Sequence, residues 1–540
     1  MKSRFLFYMI LVLTIKAQAQ SANSNVPKNW HLLDPQQDSV QGLSVEKTYL
    51  TLLKDMPARE VLVAVVDSGI DIDHEDLKDV IWTNTKEIPN NGVDDDHNGH
   101  IDDVHGWNFI GGKNGNVKDD IDDLTLEYVR LGKKFEKVKD GKVGKKDKAD
   151  YGQFLKIKEK YKALKENNAQ ELELYSKIYR NLKHSLDTLK KLLKSEKLKE
   201  EEVKSFESQD PNLLFAKGFL LMIFRNAGEN TDLGESLQEV KERVDYLNTV
   251  VNYGYNAEFD SRKVIGDNYS DPYQKNYGNN DVIGPDATHG THVAGIIGAI
   301  RNNNIGIQGI ADHVKIMPVR CVPSSGDERD KDVANAIIYA VENGARIINM
   351  SFGKKFSPEK EAVDRAVKYA EQKGVLLIHA AGNDGDNIDA VKNFPTRFFL
   401  NGKEAKNWLE IGASAWGAGK EFVADFSNYG KSSVSFFSPG VQLYSTTPQN
   451  TYKNESGTSM ASPAAAGVAA LLMSYFPELT SHDVKDILMK STRKFDGLKV
   501  QEPGDKKEVA FSDLSISGGV INAYEAVKMA QDFRKQKTVR

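Results

Sequence analysis

Apolar positions along this chain fall into two textures, and each predicts a different kind of structure. Val61-Leu62-Val63-Ala64-Val65-Val66 is an uninterrupted run rich in β-branched residues, the pattern of a strand buried on both faces of a parallel sheet. Comparable runs recur later and alternate with segments of helical spacing. Strands are predicted over 314–322, 346–350 and 375–381, and helices over 332–342 and 359–373. Small residues at Ala461, Ala464 to Ala466, Ala469 and Ala470 predict a closely packed helix, followed by a helix over 482–491 and a closing element over 519–529. Such alternation predicts an α/β domain, a mostly parallel central sheet with helices on both faces.

The second texture runs from 118 to 261 and is rich in Lys, Glu and Leu. Phe154, Ile157, Tyr161 and Leu164 recur at helical spacing, as do Tyr175, Ile178, Leu182, Leu186, Leu189 and Leu193. Steps of three and four lay an apolar stripe along a helix. Residues 219–224 predict another packed helix, and 253–280 an irregular return loop. A helical hairpin or small bundle inserted into the α/β domain fits this stretch, its lysines forming a solvated face.

At the N-terminus, Lys2 and Arg4 precede an apolar run from Phe5 to Ile15, and Ala17-Gln18-Ala19 fits a small-x-small cleavage site. The run is too short to span a bilayer, so residues 1–19 are expected to be a cleaved export signal. No transmembrane segment is expected after it, and the destination is periplasm, cell surface or medium. Residues 20–56 are polar, with an amphipathic patch near Leu43 to Leu53, and read as a lead-in segment.

Composition narrows the partners. Over 540 residues the chain carries 77 acidic and 72 basic residues, a formal net charge of −5. That near balance gives no global electrostatic case for nucleic acid or an anionic membrane. A single cysteine, Cys321, leaves no intramolecular disulfide, so stability rests on the core and on any bound metal ion.

Three positions carry candidate chemistry. Asp67 follows the first strand, where open α/β sheets place active sites, though an Asp before Gly69 also suits a turn cap. His289 lies in Asp286-Ala287-Thr288-His289-Gly290-Thr291-His292-Val293-Ala294-Gly295, glycines and small residues that suit the head of a buried helix; His292 reads as structural. Ser459, in Ser456-Gly457-Thr458-Ser459-Met460-Ala461-Ser462-Pro463, stands at a helix start, where free N–H groups and the dipole favour a developing oxyanion. A serine needs a base, and the base a carboxylate. The order Asp, His, Ser differs from that of the chymotrypsin and α/β-hydrolase arrangements. Asn383, in Gly382-Asn383-Asp384-Gly385 after a predicted strand, reads either as a turn residue or as an amide aimed into the cleft.

A further acidic stretch, Asn90 to Asp103, places Asp94, Asp96 and Asn98 at alternate positions before Gly99. This follows the first half of a calcium-binding loop, with Asp102 at its ninth position, but the closing glutamate is absent. A solvated acidic turn is the alternative reading. Zinc through His97, His100 and His105 fits poorly among hard oxygen donors.

In its Asp67, His289 and Ser459 segments the chain resembles the subtilisin-like (subtilase) serine peptidases. Val-Ala-Val-Val-Asp67-Ser-Gly, His289-Gly-Thr-His-Val-Ala-Gly and Gly-Thr-Ser459-Met-Ala-Ser-Pro are similar to its three signature segments, in the same order. The resemblance implies a subtilisin-like three-layer fold over 57–117 and 262–531, interrupted by a helical insertion at 118–261. It implies an exported serine endopeptidase acting on proteins or peptides, with Ser459 as nucleophile, His289 as base and then acid, and Asp67 as orienting carboxylate. It further implies an oxyanion hole from the Asn383 amide and the Ser459 N–H, and a substrate-pairing strand at Ser351, Phe352 and Gly353. Structural calcium at Asp76 and the Asn302-to-Ile307 loop, including Asn303, is implied too, with no organic cofactor; the loop is one residue longer than usual. The gap between Asp67 and His289 is several times the family's usual one, so the insertion is expected to border the cleft. Two other classes compete with this reading. One is a catalytically silent scaffold of the same fold, the other a calcium-dependent adhesive module resting on Asp94 to Asp103.

Overall fold

The run that opens the α/β pattern becomes β1 (Val61–Asp67), and its neighbours explain why every residue in it is apolar up to the last. In a computed structural model, which describes residues 26–138, 142–228, 231–505 and 507–539, β1 lies inside a nine-stranded sheet. The other strands are β2 (Trp107–Asn108), β3 (Val314–Arg320), β4 (Ile347–Met350), β5 (Leu376–Ala380), β6 (Trp408–Ser414), β7 (Phe436–Pro439), β10 (Arg493–Lys494) and β11 (Gly519–Val520). Between β7 and β10 the hairpin β8 (Leu443–Thr447) and β9 (Thr451–Glu455) stands apart from the sheet. The spatial order is β10-β11-β7-β6-β5-β4-β1-β3-β2. All neighbours are parallel except β10 with β11.

Alternate β1 side chains serve two cores. Val63 and Val65 join Ile347, Ile378 and Leu409 in one apolar cluster, with α1 (Thr288–Gly298) and α4 (Thr458–Tyr475) laid over them. Ala64 and Val66 face the other way, with Met317, Ile348 and Leu377, against α2 (Asp330–Glu342) and α3 (Lys360–Gln372). The result is three layers, helix on sheet on helix, with both faces of the sheet dry. The alanines of α4 let it lie close to the sheet, and every residue from Met460 to Tyr475 is buried.

Residues after 26, polar in sequence, are built into this core. Trp30, Leu32, Leu43 and Val45 are fully buried in the α1–α4 layer. Trp30 meets Trp416 edge to face at 6.1 Å, and the Ala523 N–H donates to the Leu43 carbonyl. The return loop is pinned rather than loose: Arg262 bridges Asp267 and Asp332, and Tyr277 donates to Asp332 at 2.6 Å. Residues 1–19 lie outside the described residues.

By contact density the chain divides into two units, one of Val26–Glu127 with Glu258–Arg540 and the other holding Tyr128–Ala257. The latter is built on one 46-residue helix, Lys148–Leu193, about 70 Å long at 1.5 Å per residue. Both apolar stripes seen in the sequence lie on this helix, with Phe154, Ile157, Tyr161, Ile178, Leu182, Leu186 and Leu189 buried. Helices Pro211–Ala227 and Leu233–Thr249 pack against it, each started by an aspartate cap, Asp210 and Asp232.

If the lead-in residues belong to the core, Trp30→Ala costs about 3–5 kcal/mol, the loss typical of a buried aromatic. Urea unfolding of the α/β unit checks this, and a cost below about 1 kcal/mol would place Trp30 outside the cooperative core.

Candidate active site

Asp67 ends β1, opposite Arg320 on β3, and its side chain is buried. Its Oδ1 accepts the Ser68 N–H and faces His289 Nδ1, each at 2.7 Å. Two glycines let the start of α1 come this close. A Cβ on Gly290 would lie 2.2 Å from the Gly69 carbonyl oxygen, and one on Gly69, at φ +129°, 2.1 Å from that of Ile283. Neither clash is tolerable, so the approach of α1 to the end of β1 requires both. Burial works against the His289 imidazolium, but the adjacent Asp67 carboxylate outweighs it and holds the pKa above the ordinary 6.5. His292 instead fastens α1 to the hairpin, its Nε2 at 3.1 Å from the carbonyls of Leu443 and Lys453. Burial lowers its pKa to about 4, which suits a structural neutral imidazole.

Ser459 stands in the first turn of α4. Its hydroxyl donates to the Ser351 carbonyl at 3.1 Å, while Ser351 Oγ donates to the Ser459 carbonyl at 2.9 Å. Ser351 and His289 both line a cleft of about 260 Å³. The structure thus joins Asp67 to His289 directly and Ser459 to Ser351 directly. In this arrangement the Ser459 hydroxyl is committed to the carbonyl rather than to the imidazole. Nucleophile–base contacts commonly form only with substrate bound.

Asn383 follows β5 and is fixed by a residue the sequence did not single out. Its Oδ1 accepts from both the N–H and the hydroxyl of Thr458, each at 2.9 Å. With that oxygen occupied, Nδ2 turns toward Gly457. A Cβ on Gly457 would stand 3.5 Å from Asn383 Nδ2 and 3.6 Å from Ser459 N, so both donors border one small space. Phe352 lays its ring edge-on to His379 at 6.2 Å. Gly353 faces Asn393, whose Oδ1 would be 2.8 Å from a Cβ there.

The acidic residues sort differently from the sequence expectation. Asp94 accepts the N–H groups of Asn98 and Gly99, and Asp102 those of Asn91 and Gly92, so both carboxylates fold the loop on itself. Asn98 donates its amide to Asp103. Asp96 instead joins Glu87 and Asp103, one oxygen from each lying within 4.8 Å of the others. Burial raises the Asp103 carboxyl to about 6 despite hydrogen bonds from Tyr339, Asn98 and Asn84. Three carboxylates gathered this way, all hard oxygen donors, could hold a metal ion such as calcium. Asp103 ends the acidic stretch read in the sequence without being a candidate ligand there, and Glu87 precedes that stretch and folds back onto it, accepting the Asp95, Asp96 and Asp102 N–H groups. Asp76 and Asn303 do meet, at 2.6 Å, but both Asp76 oxygens are bonded to nitrogens, Asn303 Nδ2 and Ile307 N.

Comparison with known proteins identifies a family. The subtilase family model matches residues 58–512. A thermophilic serine proteinase of Bacillus sp. (strain AK1) is 36% identical over 245 residues, 45% of this chain and 53% of that protein. Thermitase of Thermoactinomyces vulgaris is 37% identical, over 39% of this chain and 72% of its own length. Subtilisin DY of Bacillus licheniformis is 36% identical, over 37% and 68%. The family match and these named relatives support a serine-type endopeptidase, a hydrolase. The chain belongs to the subtilase family.

The Asp67 contact makes a titration prediction. The His289 imidazole titrates above 6.5, and Asp67→Asn moves that titration downward, because the charge favouring the imidazolium is gone. Ring-proton NMR of the two proteins measures it; an unchanged or higher value in the variant would mean that Asp67 is not what raises it.

Proposed function

We propose that this protein is an exported serine endopeptidase that cuts proteins or peptides through Asp67, His289 and Ser459. The observation that carries the reading is the 2.7 Å contact of a buried carboxylate with the His289 imidazole at the carboxyl edge of the sheet. Ser459 is hydrogen-bonded to Ser351, which lines a cleft together with His289. His289 Nε2 takes the Ser459 proton as Oγ attacks the scissile carbonyl, and Asp67 stabilises the imidazolium that forms. Asn383 Nδ2 and the Ser459 N–H bind the oxyanion. His289 then protonates the leaving amine, and water hydrolyses the acyl-enzyme by the same steps. Substrate backbone adds along Ser351–Gly353, where the strand edge past β4 offers alternate N–H and C=O groups. Export rests on the N-terminal signal pattern; no helix among the described residues is long and apolar enough to cross a membrane.

Calcium is the metal this reading assigns to Glu87, Asp96 and Asp103, as a structural ion outside the chemistry. A second ion would take Asp76 and Asn303, with the Asn303 amide turned to present its oxygen. Calcium at a hundred times its dissociation constant then stabilises the fold by about 2.7 kcal/mol. Calorimetry with and without chelator reads this as a shift in Tm. Asp96→Asn should remove the part of the shift due to the first ion, and a shift as large as in the wild type would assign the whole effect elsewhere.

A fluorophosphonate probe tests the chemistry. Wild type should label at Ser459 and Ser459→Ala should not, while Asn383→Ala should lower kcat by about 10²–10³. Labelling that persists in Ser459→Ala would name another nucleophile. Folded wild type that neither labels nor cuts would favour a scaffold of this fold.

A further inference from the structure

The near balance of charge over the whole chain hides a local surplus. From Lys133 to Lys165 there are thirteen lysines and no arginine against five acidic residues, a net charge of +8. Taken from the total of −5, this leaves −13 on the rest of the chain. Ion pairs consume little of the surplus. Of the described lysines in this stretch only Lys134, with Asp147 and Asp150, and Lys158, with Glu136, form ion pairs, and every other one is exposed. On the long helix Phe154, Ile157 and Tyr161 take the buried side. Lys148, Leu155 and Lys162 follow at seven-residue steps, about 10 Å apart along the axis, and so form one row on the exposed side. Leu155 is 48% exposed within that row, and the neighbouring Lys156 and Lys160 are exposed as well.

Three features decide among anionic partners. Lysine is a point charge and lacks the planar fork with which arginine grips phosphates and base edges. The aromatic rings of the stretch, Phe135, Tyr151, Phe154 and Tyr161, pack on one another and on Tyr128. None of them is exposed, so no ring is offered for a nucleic-acid base to stack on. Finally, an exposed leucine between two lysines on a rigid helix suits a lipid boundary, where lysines meet anionic headgroups and an apolar side chain enters the acyl edge. A nucleic acid or an acidic protein would use the charge but not the leucine.

We propose that this lysine-rich helical face binds an anionic lipid surface, the long helix lying along it with Leu155 entering the headgroup region. The inference goes beyond the peptidase reading and does not depend on it. The net negative charge on the rest of the chain favours contact through this stretch over contact elsewhere.

The test is co-sedimentation of the full chain with vesicles of phosphatidylcholine alone or with about a third phosphatidylglycerol. Binding should favour the anionic vesicles and fade at about 0.5 M salt. Combining Lys148→Gln, Lys156→Gln, Lys160→Gln and Lys162→Gln should lower the partition coefficient at least about tenfold. Glutamine matches lysine in helix propensity, so circular dichroism should show the helix intact. Leu155→Gln should lower partitioning a few-fold and leave binding to polyglutamate unchanged. Residues 1–19 are the same in every variant, so any lipid affinity of their own cancels in these ratios. Equal partitioning of wild type and the fourfold variant, or no preference of wild type for anionic vesicles, overturns the proposal. Tighter binding to duplex DNA or polyglutamate than to anionic vesicles, with no effect of Leu155→Gln, assigns the face to another polyanion and overturns it as well.

Discussion

The contact between the Asp67 carboxylate and the His289 imidazole joins residues 222 positions apart, and much of the architecture exists to hold it. A buried carboxylate is costly unless it is paired or hydrogen-bonded. The Ser68 N–H and the imidazole supply that compensation, and Asp67 Oδ2 has no hydrogen-bond partner among the described residues. For the pair to meet, β1 must end where α1 begins, with nothing larger than hydrogen at Gly69 and Gly290. The long separation costs little by itself, because closure entropy grows by only about 0.6 kcal/mol per doubling of the loop. A large insertion between the two residues is therefore compatible with an intact pair.

The remaining groups reach the same edge by a shared device. β1, β4 and β5 run parallel, so their carboxyl ends lie side by side and deliver Asp67, Ser351 and Asn383 to one rim. α4 then brings its first turn to that rim from one face of the sheet. Thr458 ties the two halves together, since its N–H and hydroxyl both hold the Asn383 oxygen. Orientation of the amide is thereby set before any substrate arrives, which is the condition for electrostatic stabilisation without reorganisation.

Much of this was legible in the sequence, for identifiable reasons. β1, β3, β4 and β5 are buried on both faces and so are mostly apolar, with Lys315, Arg320, Asn349 and His379 as exceptions, and their runs place them to within two residues. β6 was missed because Glu410 interrupts Trp408–Ser414, and only the fold shows that this glutamate is satisfied, by His379 and the Trp408 indole. The hairpin β8–β9 is polar and half exposed, and lacks any run at all. Trp30 and Leu32 sit in a polar segment whose burial depends on partners hundreds of residues away. The three signature segments named the candidate reacting residues because their chemistry dictates local sequence: a glycine for close approach, small residues for a buried helix. Cation ligands are less local. Asp94 and Asp102 fit a loop pattern and accept backbone N–H groups, while Glu87, outside the pattern, folds back onto the same loop, accepts the Asp95, Asp96 and Asp102 N–H groups and meets Asp96 and Asp103.

The account's central claim is that Asp67, His289, Ser459 and Asn383 form one reacting unit. A crystal structure of the fluorophosphonate-treated protein tests it most directly. The account predicts phosphorus bonded to Ser459 Oγ, a phosphonyl oxygen within about 3.1 Å of both Asn383 Nδ2 and Ser459 N, and the His289–Asp67 contact retained. An adduct on another side chain, or a phosphonyl oxygen directed away from Asn383, would contradict it.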